Sequence, residues 1–366
     1  MSRPAPRPGL RDIDYYMVGI AKLPGFDRVF KLSSNESPLG ASPRALEAAG
    51  EVLENMHRYP EVDMERLQEA LAVRFGLEPG RIAFGAGSDD LLARLVQTYA
   101  GPGDEVIHSA HAYMQFPIYA ATAGAHPVAA PDDDFRHSVD GILGCVTDRT
   151  KVVIVANPDN PSGTHLSGAE VRRLRDKLPA GVLLIVDAAY EEYAAANDYE
   201  SGTALVAERD DVVVTRTFSK VFGLAGLRVG WCYAPPEVID LLNRTGPSFP
   251  VNLVAKAAGL AALADRAHME AVLAHNAKWL HRFSDALRDM GLVVYPSQTN
   301  FVLVRFPGSD GTSALAADRA LQSQGIIARR FAVPDFEDKL RFTMGLDDEM
   351  EAAIAALGQF MSGNRG

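Results

Sequence analysis

Between residues 80 and 233 the chain alternates short, nearly continuous apolar runs with segments of helical length. The runs lie at 82–85, 105–108, 126–130, 151–156, 182–187, 212–216 and 229–233. They lack the polar alternation of a half-exposed strand and match strands buried on both faces of a parallel sheet. Segments 89–99 and 167–178 fall between runs and place apolar residues on one helical face. The second opens with Ser167 and carries Glu170 three positions on, the reciprocal arrangement of a capping box. The prediction is an α/β fold whose large unit carries a mostly parallel sheet of about seven strands.

Beyond residue 245 the order changes. Gly246, Pro247 and Pro250 interrupt the pattern; a long helical stretch follows, then apolar runs at 292–295 and 301–306, another helix, and a run at 340–344. A smaller α+β unit is expected there. At 366 residues the chain exceeds what one hydrophobic core usually organises, so two units are expected in any case. The expected division is a flexible tail at 1–9, an arm at 10–35 that joins the smaller unit, the large unit at 36–245 and the smaller one at 246–366.

Composition narrows the function classes. With 47% apolar and 23% charged residues, extended disorder is not expected. The net charge of -11, with no Lys/Arg-rich run, argues against nucleic acid or an anionic membrane surface as partner. Cys145 and Cys232 are the only cysteines and show no ligand spacing, which suggests neither a disulfide framework nor a zinc site and fits a reducing cytoplasm. The nine histidines show no metal-ligand motif and read as structural or surface residues.

Ligands of open parallel sheets gather at the carboxyl ends of the strands. Four polar segments follow apolar runs there. NPDNPSG (157–163) is a rigid turn able to hold an amide at the sheet edge, although an ordinary strand-to-helix turn reads the same way. In VLLIVDAAY, Asp187 ends a strongly apolar strand, where a carboxylate needs a cation or several donors; a helix N-cap is the alternative. TRTFSKVFGLAGLRVGW (215–231) offers hydroxyls at Thr217 and Ser219, the Lys220 amine and the Arg228 guanidinium. These suit a phosphate dianion and a Schiff-base lysine, or else a solvated surface. GAGSDDLL (85–92) is a Gly-rich turn running into a helix whose first N–H groups could receive an anion. It lacks the third glycine of a dinucleotide fingerprint.

Taken in order, GSDD, Tyr113, NPDNPSG, DAAY, SK and Arg228 eight residues after the lysine resemble the fold-type I aminotransferases, classes I and II. Within them KLSSNESPLGASP (31–43), RYP (58–60), TNFVLV (299–304), GIIARR (325–330) and LRFTMG (340–345) are similar to histidinol-phosphate aminotransferases. The resemblance implies an aspartate-aminotransferase-like fold and pyridoxal 5′-phosphate as cofactor, carried by Lys220 as a Schiff base. Asp187 would pair with the pyridine nitrogen, Asn160 and Tyr190 would bond the phenolic oxygen, and Tyr113 would stack on the ring. The phosphate would be held by the backbone of Ser88 and Asp89, by Thr217, Ser219 and Arg228, and by Tyr59 reaching over from the second subunit of a homodimer. Arg329 and Arg341, with Tyr16, would bind substrate anions. The expected reaction moves an amino group between L-histidinol phosphate and 2-oxoglutarate or glutamate in two half-reactions. An aromatic amino acid aminotransferase and a threonine-phosphate-type decarboxylase are the alternatives.

Overall fold

The computed structural model describes residues 5–7, 9–13, 19–60, 64–308, 311–331 and 333–363. Among these, the strands are β1 (Phe30–Leu32), β2 (Ile82–Gly85), β3 (Glu105–Ser109), β4 (His126–Ala130), β5 (Thr150–Ala156), β6 (Leu183–Asp187), β7 (Val212–Thr217), β8 (Gly230–Tyr233), β9 (Val293–Val294), β10 (Phe301–Arg305), β11 (Ile326–Arg330) and β12 (Lys339–Thr343).

β2 to β8 form one seven-stranded sheet in the order β2-β8-β7-β6-β5-β3-β4. Its contacts are parallel except at β8, which runs antiparallel to both neighbours. The central strands β5, β6 and β7 are rich in Val, Ile and Leu, and all their residues but Lys151 are buried. β4 lies at the edge, half-exposed, and holds Pro127, a residue with no N–H to give to a further strand. Helices cover both faces; on one, the Ser167 hydroxyl and the Glu170 carboxylate cap each other at the start of Gly168–Lys177.

The second sheet has the order β1-β11-β12-β10-β9. β1 comes from the other end of the chain and pairs in parallel with β11, Phe30 opposite Ile326. The expected break at 245/246 does not coincide with a change of core. Ala255, Ala258 and Ala262 of the helix Leu253–Ala264 pack into the core of the large sheet. The change falls inside the 24-residue helix Arg266–Asp289. Its Met269 and Val272 join the large core, whereas Trp279, Phe283 and Leu287 join the core under the second sheet. At about 1.5 Å per residue this helix is about 36 Å long and runs from one core to the other. Among the described residues no helix is long and apolar enough to cross a membrane.

Candidate active site

The carboxyl ends of β5, β6 and β7 open on a cavity of about 370 Å³ that is roofed by β11, β12 and the residues after β1. That volume is within the range of small-molecule sites. Ser88, Asp89, Tyr113, Asn160, Asp187, Tyr190, Thr217, Ser219, Lys220, Arg228, Arg329 and Arg341 all line it. Tyr59 does not: it is 82% exposed and stacks on Phe249 at 4.6 Å, away from the cavity of its own chain. Tyr16 lies outside the described residues.

One end of the cavity is built for an anion. The helix Ser88–Tyr99 begins after Gly87 without a side-chain cap, so its first N–H groups face the cavity mouth unspent on the helix. Gly87 is required there: its φ is +87°, and a Cβ would come within 2.5 Å of Arg228 Nη2. Arg228, itself at φ +54°, is held by Ala225 O at 3.1 Å and Asp89 Oδ2 at 3.4 Å. Thr217 donates to Ser219 Oγ at 2.9 Å and accepts from the Ser219 N–H, which fixes both hydroxyls.

A second group on the cavity wall suits a cation. Asp187 ends β6, is 7% exposed, and accepts from Thr215 Oγ1 at 3.2 Å. Burial, reinforced by the charge of Asp89, pushes its carboxyl up to about 7 against the pull of Thr215, the Ala189 N–H and Lys220. A positively charged ring nitrogen beside it would restore the carboxylate. Lys220 lines the same cavity, its Nζ 5.3 Å from the centre of the Tyr190 ring. An anion cradle, a cation-seeking carboxylate and an amine on the wall of one cavity fit the pyridoxal phosphate that the resemblance implies.

The NPDNPSG loop uses its two asparagines differently. Asn157 is buried and spends its amide on Leu166, accepting from the N–H at 2.9 Å and donating to the carbonyl at 3.1 Å. Asn160 faces the cavity and accepts a hydrogen bond from Arg341 Nη1. Behind the loop, Asp159 accepts from the hydroxyl and N–H of Ser162 and lies 3.3 Å from His137 Nε2. Burial opposes a charge on His137, but the Asp159 carboxylate outweighs it and raises the imidazole. His137 is buried and paired with Asp159; among the described residues no group of His, Cys, Asp or Glu could hold a metal.

Ser33 and Asn35 also line the cavity, and no role was expected for either. Ser33 O accepts from Arg341 Nη2 at 3.0 Å, and Asn35 Nδ2 donates to the Tyr190 hydroxyl at 2.8 Å. The only local signal was a polar SSNES string directly after a short apolar run.

The chain matches the profile of the family described as Aminotransferase class I and II over residues 27–357. It is 49% identical over 361 residues to the histidinol-phosphate aminotransferase of Paramagnetospirillum magneticum, with 99% of each chain covered. It is 48% identical to that of Rhodospirillum centenum, covering 99% of this chain and 100% of the relative. Among solved structures, the histidinol-phosphate aminotransferase of Sinorhizobium meliloti in complex with pyridoxal-5′-phosphate superposes with a TM-score of 0.88 at 29% identity, over 99% of both chains. A profile match over most of the length, and relatives near half-identical from end to end, make this chain a member of the class I and II aminotransferase family.

Proposed function

We propose that this enzyme uses pyridoxal 5′-phosphate to move an amino group from L-histidinol phosphate to 2-oxoglutarate. When bound, the cofactor supplies a carbonyl that takes up the amino group and a cationic ring that draws electron density from the substrate carbon. Lys220 is the residue that would hold it covalently and carry the proton to and from the substrate α-carbon. Asp187 would keep the ring nitrogen protonated, so it sets a pKa and does not shuttle protons. The uncapped amides at Ser88 and Asp89, the Thr217 and Ser219 hydroxyls and Arg228 would grip the phosphate. Asn160 and Tyr190 would bond the phenolic oxygen and Tyr113 would cover the ring face.

The observation that carries the substrate reading is the pair Arg329 and Arg341, both buried and both on the cavity wall. Two planar guanidinium groups in one pocket suit a ligand that brings an anion of its own. Histidinol phosphate brings a phosphate, and glutamate and 2-oxoglutarate a second carboxylate. The names of the relatives support the same substrate. The test is a panel of amino donors, histidinol phosphate and phenylalanine included, each assayed with 2-oxoglutarate. Highest kcat/KM for histidinol phosphate is expected; preference for phenylalanine would assign the enzyme to aromatic amino acids, and carbon dioxide release without a keto acid would make it a decarboxylase.

A further inference from the structure

Three buried side chains connect β12 to the cavity. The Asn35 backbone N–H donates to Thr343 Oγ1 at 2.9 Å, Thr343 Oγ1 donates to Asn35 Oδ1 at 3.0 Å, and Asn35 Nδ2 donates to the Tyr190 hydroxyl at 2.8 Å. All three residues are 2–3% exposed.

The polarity of this chain follows from its first member. A backbone N–H can only donate, so it occupies a lone pair of the Thr343 hydroxyl and turns that hydroxyl's proton elsewhere. That proton is given to Asn35 Oδ1, so the amide oxygen faces Thr343. The NH₂ group is then the end that faces Tyr190. The Tyr190 oxygen accepts, and its own proton is directed into the cavity that the ring lines. The side-chain amide orientation thus rests on donor chemistry and not on the similar shapes of O and NH₂.

The backbone of Asn35 is held just as firmly. Its φ is +54°, a left-handed conformation that asparagine tolerates better than most residues. Its carbonyl accepts from Asn300 Nδ2 at 3.1 Å.

We infer that Asn35 is a positioning residue for the aminotransfer reaction: anchored on Thr343, it fixes the Tyr190 hydroxyl as a hydrogen-bond donor toward the phenolic oxygen of the cofactor. The inference rests on the cofactor placement proposed above. Asparagine, and not aspartate, is needed, because a carboxylate at 35 would accept from both Thr343 and Tyr190 and turn the tyrosine proton away from the cavity.

The readout is the pH at which the visible absorption band of the cofactor-loaded enzyme changes. A donor to the phenolic oxygen drains its negative charge, which loosens the proton on the neighbouring lysine-linked nitrogen; losing that donor raises the midpoint. Asn35→Asp is expected to raise it by about one pH unit, a tenfold change in proton affinity. A new negative charge would also raise it, so the variant is compared in wild-type and Tyr190→Phe backgrounds. Action through Tyr190 requires a much smaller shift in the second background, and equal shifts in both overturn the inference. Should Asn35→Asp not yield folded protein, Thr343→Val carries the test: an upward shift abolished by Tyr190→Phe and rescued by Thr343→Ser supports the inference, and no shift overturns it. Tyr190→Phe alone separates the two levels. If it leaves the midpoint unmoved, the cofactor placement fails; if it shifts the midpoint while Asn35→Asp and Thr343→Val do not, only the role of Asn35 fails.

Discussion

Arg329 and Arg341 sit directly opposite each other on the antiparallel strands β11 and β12. Both are buried, and both guanidinium groups lie against the ring of Phe331, at 5.3 and 5.4 Å. Like charges at opposed sheet positions destabilise the fold. The pair concentrates positive charge on the cavity wall, where an anionic ligand would be attracted.

Replacing Arg341 with Leu is expected to lower kcat/KM by about 10² to 10³ in both half-reactions, the scale of removing a bidentate partner from a partly dry site. Arg329→Met should also lower kcat/KM, with the Tm of the cofactor-free protein little changed if the arginine serves the ligand and not the fold. A fall for glutamate alone in Arg341→Leu would assign the donor phosphate to other residues. A large drop in Tm for Arg329→Met would make that arginine structural.

Asp187 gives a pH dependence of known sign. Its carboxyl, near 7 in the cofactor-free fold, binds its proton more tightly there than in the unfolded chain. Its stabilising contribution is complete below about pH 4 and declines as pH rises toward about 7, with a ceiling of about 4 kcal/mol. The difference in Tm between wild type and Asp187→Asn, both without cofactor, should follow that decline. Loading with pyridoxal phosphate should abolish it, and turnover of Asp187→Asn should be at least about 10²-fold lower. A difference in Tm that is flat with pH would mean that the buried carboxyl is already satisfied.

Tyr59 is exposed and far from the cavity of its own chain. If it completes the phosphate site of a second subunit, mixing inactive Lys220→Ala chains with impaired Tyr59→Phe chains should create one site with both native residues. Activity above that of either parent is expected, measured on isolated mixed dimers. Mixed dimers with only the averaged activity would rule out shared sites.

The Ser167 cap is local and separable from chemistry. Ser167→Ala should cost about 1 kcal/mol of unfolding free energy, with kcat/KM unchanged. A loss of activity at full stability would implicate the NPDNPSG loop that precedes the helix.

The large sheet was legible because its strands are mostly apolar and end abruptly in polar residues: the run expected at 182–187 is the strand Leu183–Asp187, and Asp187 stands out because no other carboxylate ends such a run. The twelve candidates on the cavity wall were found through family motifs more than through periodicity, since Ser-Lys or a lone arginine means little alone. The packing of the helix Leu253–Ala264 against the large sheet was not legible for a physical reason: its sequence, LVAKAAGLAALA, is apolar on nearly every side and names no preferred neighbour. Asn35 escaped notice because its partners are 155 and 308 residues away, and local pattern holds no trace of a bond at that range.

The helix Arg266–Asp289 bears on how the protein comes apart. Two cores of this size would ordinarily melt as separate steps, each with its own enthalpy. Here one continuous rod supplies a wall to both, through Met269 and Val272 at one end and Trp279, Phe283 and Leu287 at the other. Loss of either core strips apolar cover from a helix that the other still needs, so denaturation is coupled across the whole chain. A break in that rod, such as Ala277→Pro between the two sets of contacts, would split a single calorimetric peak into two.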